Sequence, residues 1–142
     1  MGLTTPGEVK NVMLSLDEIL NNAIVYGALG IDSGIRDEPQ GHLKFQLAIK
    51  EKEIQPEMLK RIVRVHADYT REQVRFTITD PGPGFDYQNL PDPTDPENLM
   101  REHGRGLLLV QCFMDEVFYN DMGNSVTLVK RKSDSDSIST MH

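Results

Sequence analysis

The run Val74-Arg-Phe-Thr-Ile-Thr79 places an apolar residue at every second position and ends on Asp80, followed at once by Pro-Gly-Pro-Gly84. Alternation of period two predicts a half-buried strand. The chain must then leave the sheet through a corner. Pro81 and Pro83 fix backbone angles there, while Gly82 and Gly84 admit positive φ and the close approach of another group. An ionisable side chain at a strand end, beside bare backbone, suits a tight turn and a ligand site equally well. The remainder of the chain has to decide between them.

With 142 residues the chain can bury one core of ordinary size, and one compact unit is expected. A formal charge of -7 and a pI near 5.0 argue against a nucleic-acid surface. The single cysteine, Cys112, excludes an internal disulfide framework. It falls inside a helix expected to be buried, where an inert packed thiol is the expectation. No apolar run is long enough to span a membrane, so no membrane partner is expected. Residues 1–10 lack the basic and apolar regions of a secretory leader, and a cytoplasmic location is the expectation. Four histidines and one cysteine without short spacing give no zinc pattern.

Over residues 7–29, Val12, Leu16, Ile19, Leu20, Ala23 and Ile24 recur at three- and four-residue spacing, which predicts one amphipathic helix. Thr4 or Thr5 ahead of Pro6 would cap it. Glu18 and Asn22 lie one turn apart on a shared flank, a pattern that suits a solvated helix side as well as a site. Gly27 and Gly30 are expected to end the helix. Residues 32–40 read as a loop, and residues 41–54 as a helix closed by Pro56. Strands are expected over 61–67 and 73–79, joined as an antiparallel hairpin through 68–72. Residues 86–102, with Pro91, Pro93 and Pro96, read as a long functional loop or lid. The glycines of His103-Gly-Arg-Gly106 then feed a helix that runs to about Met114. Free N–H groups at such a helix start suit an anion, although a hinge would use the same glycines. A second hairpin is expected from 115–120 and 125–131, and a disordered tail over 133–142.

Read in order, Glu18-x-x-x-Asn22-Ala, Asp80-x-Gly82-x-Gly84 and Gly104-x-Gly106 resemble the three boxes of the ATP-binding fold shared by histidine kinases, gyrase, Hsp90 and MutL, the GHKL superfamily. The resemblance covers roughly residues 16–130. It is narrower for Gly104-Arg-Gly-Leu-Leu-Leu-Val-Gln-Cys-Phe-Met-Asp-Glu-Val117 and Gly123-Asn-Ser-Val-Thr-Leu-Val129, which look like the anti-sigma-factor serine kinases. The resemblance implies an α+β fold: a two-layer sandwich of the Bergerat type, with a mixed, mostly antiparallel sheet and helices on one face. Residues 1–132 would form the domain. It also implies ATP and Mg²⁺ as cofactors, with Asp80 reading the adenine amino group and Gly82 and Gly84 lying against base and ribose. Asn22 would be the Mg²⁺ ligand, Gly104, Arg105 and Gly106 would cradle the phosphates, and Glu18 would be the general base. Asn124 stands where a threonine near the adenine is usual, and Tyr26 where a histidine is common. The implied partners are an antagonist protein of the STAS-like kind, whose serine is phosphorylated, and a sigma factor that is sequestered.

Two further departures carry expectations of their own. The strand and helix that usually precede the Glu/Asn helix are not seen, so the chain is expected to be a fragment or to pair as a homodimer or by strand exchange. Residues 32–60 are longer than the compact kinases need. The alternatives are a catalytic domain cut from a histidine kinase, and a non-catalytic module in which nucleotide orders a protein-binding surface.

Overall fold

A computed structural model describes residues 6–84 and 105–132, with Ser33 and Arg105 as backbone alone. The elements are α1 (Pro6–Asn22), continued by a π-helical turn (Ala23–Ala28), then a 3-10 turn (Ser33–Asp37), α2 (Gly41–Glu53) and a second 3-10 turn (Pro56–Lys60). They are followed by β1 (Arg64–Tyr69), β2 (Gln73–Thr79), α3 (Arg105–Phe113), β3 (Glu116–Tyr119) and β4 (Ser125–Arg131). The strands form one sheet in the order β1-β2-β4-β3. All three pairings are antiparallel. The fold is α+β of the GHKL type, as the resemblance implies.

Period-two patterning sorts the sheet into two faces. In the register Ile78↔Val126 and Phe76↔Leu128, Val129 falls on one side, while Phe76 and Ile78 of β2 and Val126 and Leu128 of β4 point to the other. There Val12, Ile19 and Ala23 of the first helix and Val110 and Met114 of the α3 region close a core over Ile78, Val126 and Leu128. The opposite face carries a hydroxyl ladder: Thr77 bonds Thr127 at 3.3 Å and Thr79 bonds Ser125 at 2.8 Å. Antiparallel sheets commonly tolerate one polar face, and here α1 and α3 pack on the other. The result is two layers. A smaller cluster of Leu29, Ile31 and Phe45, joined by Tyr26, Ile35, Ile49 and Met58, gives residues 29–58 an apolar centre of their own.

Several expectations shift. The helix predicted over 7–29 changes character at Ala23, where it widens into the π turn and closes with Leu29 N–H on Ile24 O at 2.8 Å. Gly30 ends it in the left-handed region at φ 68°, with Ile31 N–H returning to Val25 O at 3.0 Å. Gly27 is no terminator; it is buried inside the turn. The first strand starts at Arg64 rather than 61, and the hairpin turn contracts to 70–72. There Thr70 N–H donates to Gln73 O, while its hydroxyl accepts the Glu72 and Gln73 N–H groups at 3.2 and 3.3 Å. The expected loop over 32–40 contains a 3-10 turn capped by the Asp32 carboxylate on Gly34 N–H at 2.9 Å. Cys112 is exposed, not packed: α3 buries Leu108 and Val110, and the cysteine falls on its outer side. The helix at 41–53 and the second hairpin fall where expected. Thr4, Thr5, the loop over 86–102, Gly104 and the tail lie outside the described residues.

Candidate functional site

The first helix and its π turn form a rail along which two groups of residues are arranged. At the first group, Asn22 Nδ2 donates to Glu18 Oε1 at 3.4 Å, one turn apart on the same face. The half-buried Glu18 carboxyl lies against Gly106 in the opening turn of α3, so closely that a methyl group on Gly106 would collide with it. Helix starts leave N–H groups without helical partners and carry partial positive charge, so this junction favours negative groups. Asn22 uses its amide nitrogen on Glu18, which turns its oxygen to the role of acceptor or cation ligand.

At the second group, Asp80 extends the β2–β4 ladder by one bond, its N–H donating to Asn124 O at 2.9 Å. Its carboxyl Oδ1 accepts the Gly82 N–H at 2.8 Å. The carboxyl rests on Gly27: a Cβ added there would fall 2.6 Å from Asp80 Cβ and nearer still to the carboxyl atoms. Gly82 is equally close, since a Cβ on it would sit 2.7 Å from Gly27 O. Gly84, at φ 87°, packs on the carbonyl of Met122 and leaves no space for a side chain. The corner therefore wedges between the π turn and the β3–β4 hairpin. Bulges of this kind inside helices are frequent at functional sites, and here the widening is what brings bare Gly27 backbone against the acid.

From Glu18 to Gly27 the rail runs about 13 Å at the usual helical rise. The sequence profile of the histidine kinase-like ATPase domain matches residues 2–130. The chain belongs to that family. Curated relatives include the serine-protein kinase RsbW of Staphylococcus aureus strains JH9, Newman and USA300. Each is 30% identical over 76 residues, covering 49% of this chain and 48% of the relative. The chain thus spans about half the length of the curated relatives it matches. No solved structure matches.

In this ATPase-family domain the electrostatics of the second group are opposed. Partial burial pushes the Asp80 carboxyl above the ordinary aspartate range, while the Gly82 N–H and the Arg61 guanidinium pull it back. Tyr26, in the histidine-replacing position, packs its ring 6.0 Å from that of Phe45, over which the Arg36 guanidinium lies at 4.2 Å. Its hydroxyl is raised by burial; Arg36 acts against this and Glu18 with it.

The structure brings Glu18, Asn22 and Gly106 together, and separately Asp80, Gly82, Gly84 and Asn124. Asn124 is latched into place, donating to Asp80 O at 3.3 Å and accepting from Asn120 Nδ2 at 2.7 Å. Gly104 lies outside the described residues, and Arg105 contributes its backbone to the start of α3. Three residues that the sequence reading did not assign to the site also belong to the arrangement. Gly27 provides the seat for Asp80. Asn120 fixes the hairpin, its side-chain Oδ1 accepting Gly123, Asn124 and Ser125 N–H groups at 2.8, 3.1 and 3.2 Å. Arg61 reaches across to Gly27 O at 3.2 Å and Pro81 O at 3.5 Å. Asn-x-x-Gly before a strand is a legible turn signal for Asn120; nothing local marks the other two.

Proposed function

We propose that the chain is an ATP-dependent protein-serine kinase of the anti-sigma-factor type, acting in the cytoplasm on a small STAS-like antagonist protein and holding a sigma factor when that antagonist is absent. The observation that carries this reading is the seat of Glu18. It lies one turn from Asn22 and against the start of α3, at the far end of the rail from Asp80. The name of the matched relatives, serine-protein kinase RsbW, agrees with it.

The donor set fits a nucleotide and a hard cation. Asp80 accepts the adenine amino hydrogen, and the glycines at 27, 82 and 84 remove side chains from the surface against which a base and ribose lie. Gly104, Arg105 and Gly106 with the N–H groups of α3 hold the phosphates. The Asn22 amide oxygen is the protein ligand for Mg²⁺, which supplies charge neutralisation at the phosphates when bound. Among the described residues no cluster of three or more His, Cys, Asp or Glu is placed to hold a metal ion. Such a cation would therefore be carried by the phosphates and Asn22. Glu18 takes the proton from the serine hydroxyl as the hydroxyl oxygen attacks the terminal phosphorus and the bond to the leaving diphosphate breaks.

β1 is an edge strand exposed at every residue, with Val65 and Tyr69 uncovered on the side where helices cover the rest of the sheet. This supports a homodimer or strand exchange through that edge. No helix among the described residues is long and apolar enough to cross a membrane. Incubation of the chain with Mg-ATP and a STAS-domain protein from the same genome should yield one phosphoserine by mass spectrometry. Nucleotide-dependent binding without phosphate transfer would instead favour the non-catalytic module.

A further inference from the structure

The geometry points to Arg61 as a positioning residue for the nucleobase end of this site, clamping the π turn to the corner after β2 and keeping its charge beside Asp80. The inference rests on the reading of Asp80 as the base-recognising acid, and extends it to a residue outside the three boxes. Arg61 follows directly on the 3-10 turn Pro56–Lys60, at the end of the long segment that separates the first helix from the sheet. Its Nη2 donates to Gly27 O at 3.2 Å and to Pro81 O at 3.5 Å. These two carbonyls flank the seat of the Asp80 carboxyl, one on each of the elements that meet there. Neither neighbouring element supplies another restraint of this reach. Gly27 has no side chain, and the Gly82 N–H already serves Asp80 Oδ1.

A guanidinium suits the task because its donors are held in a rigid plane and its charge persists at all working pH values. One group therefore does two things: it fixes the distance between the turn and the corner, and it favours the ionised form of a carboxyl that burial disfavours. Among the described residues, Arg61 is the charged group that acts on the Asp80 carboxyl, and the Asp121 carboxylate in the β3–β4 turn is not among the groups that shift it. The π turn presents Gly27 and the β3–β4 hairpin presents the neutral amide of Asn124. Arg61 is thus the charged partner that the acid meets among the described residues.

The test uses the full chain with two variants, Arg61→Met, which keeps the length of the stem, and Arg61→Lys, which keeps the charge. Two readouts are taken. Carbon-13 NMR of the Asp80 carboxyl, without nucleotide, should show a higher titration midpoint in Arg61→Met and a midpoint near that of the native chain in Arg61→Lys. Titration with a non-hydrolysable ATP analogue and Mg²⁺ should show about tenfold weaker binding in Arg61→Met. Arg61→Lys, which keeps the charge, should recover most of that affinity. An unchanged midpoint in Arg61→Met, or an affinity loss as large in Arg61→Lys as in Arg61→Met, would overturn the clamp while leaving the nucleotide site intact. Failure of the native chain to bind the analogue would overturn the underlying reading, and this proposal with it.

Discussion

Glu18→Gln should abolish phosphate transfer while leaving nucleotide binding in place. The substitution keeps the shape of the side chain against Gly106 and keeps an amide oxygen for the Asn22 Nδ2, so the packing of the first helix on α3 is preserved. What is lost is the proton acceptor that the proposed transfer requires. General bases contribute on the order of a hundred- to ten-thousand-fold to rate, and turnover should fall within that range. Affinity should hold or improve slightly, because a carboxylate beside a triphosphate is repelled by it and the amide is not. Single-turnover transfer to the partner and equilibrium binding, measured on the same preparation, separate the two effects. Equal loss of both would mean that Glu18 is a structural residue of the α1–α3 junction.

Gly27→Val should disable the other end of the rail. The new Cβ would fall 2.6 Å from Asp80 Cβ, a position from which the acid cannot retreat by rotating its side chain. Asp80 would have to move with its backbone, and its bond from Gly82 N–H and the ladder bond to Asn124 would move with it. A lost hydrogen bond to a charged group is worth about 1.5–3 kcal/mol, so nucleotide affinity should drop by roughly ten- to a hundredfold or more. Overpacking should cost about 1–3 kcal/mol of stability as well. Thermal unfolding and binding isotherms measure these together. Gly27→Ala should show the same pair of effects, reduced. Native affinity in Gly27→Val would contradict the packing of Asp80 on the π turn.

Much of this arrangement was legible in the chain. Period-two alternation over 73–79 and 125–131 located the two central strands, and the three-and-four spacing from Val12 to Ala23 located the first helix together with the Glu18–Asn22 pair. The corner at 80–84 was legible as a preformed bend, because two prolines and two glycines after an acid fix or free most of its backbone angles, while a turn and a ligand site remained equally suited to it. Other features were hidden for identifiable reasons. A π turn differs from an α-helix by one residue per turn, and Ala23-Ile-Val-Tyr-Gly-Ala28 carries no signal that separates the two. Gly27 looked like a helix terminator because its need for bare backbone is created by Asp80, a residue distant in the sequence. Arg61 looked like a strand residue because Val63, Val65 and Ala67 alternate onto one face behind it, whereas pairing begins only at Arg64. Cys112 looked buried because Leu107 to Val110 reads as a continuous apolar run. In the fold Leu109 points outward, and the cysteine, three residues on, shares its side.

Asp80 also carries an opposition between stability and recognition. Its carboxyl titrates above the ordinary range, so the fold favours the protonated acid. That stabilisation is complete at low pH and is lost as pH rises through the folded-state value. At neutral pH the ionised side chain is held against the preference of its surroundings, as binding residues often are. Asp80→Asn should therefore unfold at the same temperature as the native chain or higher at neutral pH, and still fail to bind. The measurement that goes most directly to the central claim is calorimetric titration of the native chain and Asp80→Asn with a non-hydrolysable ATP analogue, with and without Mg²⁺. Binding should tighten with Mg²⁺, weaken on acidification as Asp80 takes up its proton, and be lost in Asp80→Asn. Equal affinity in the two proteins, or no binding to the native chain, would contradict that claim.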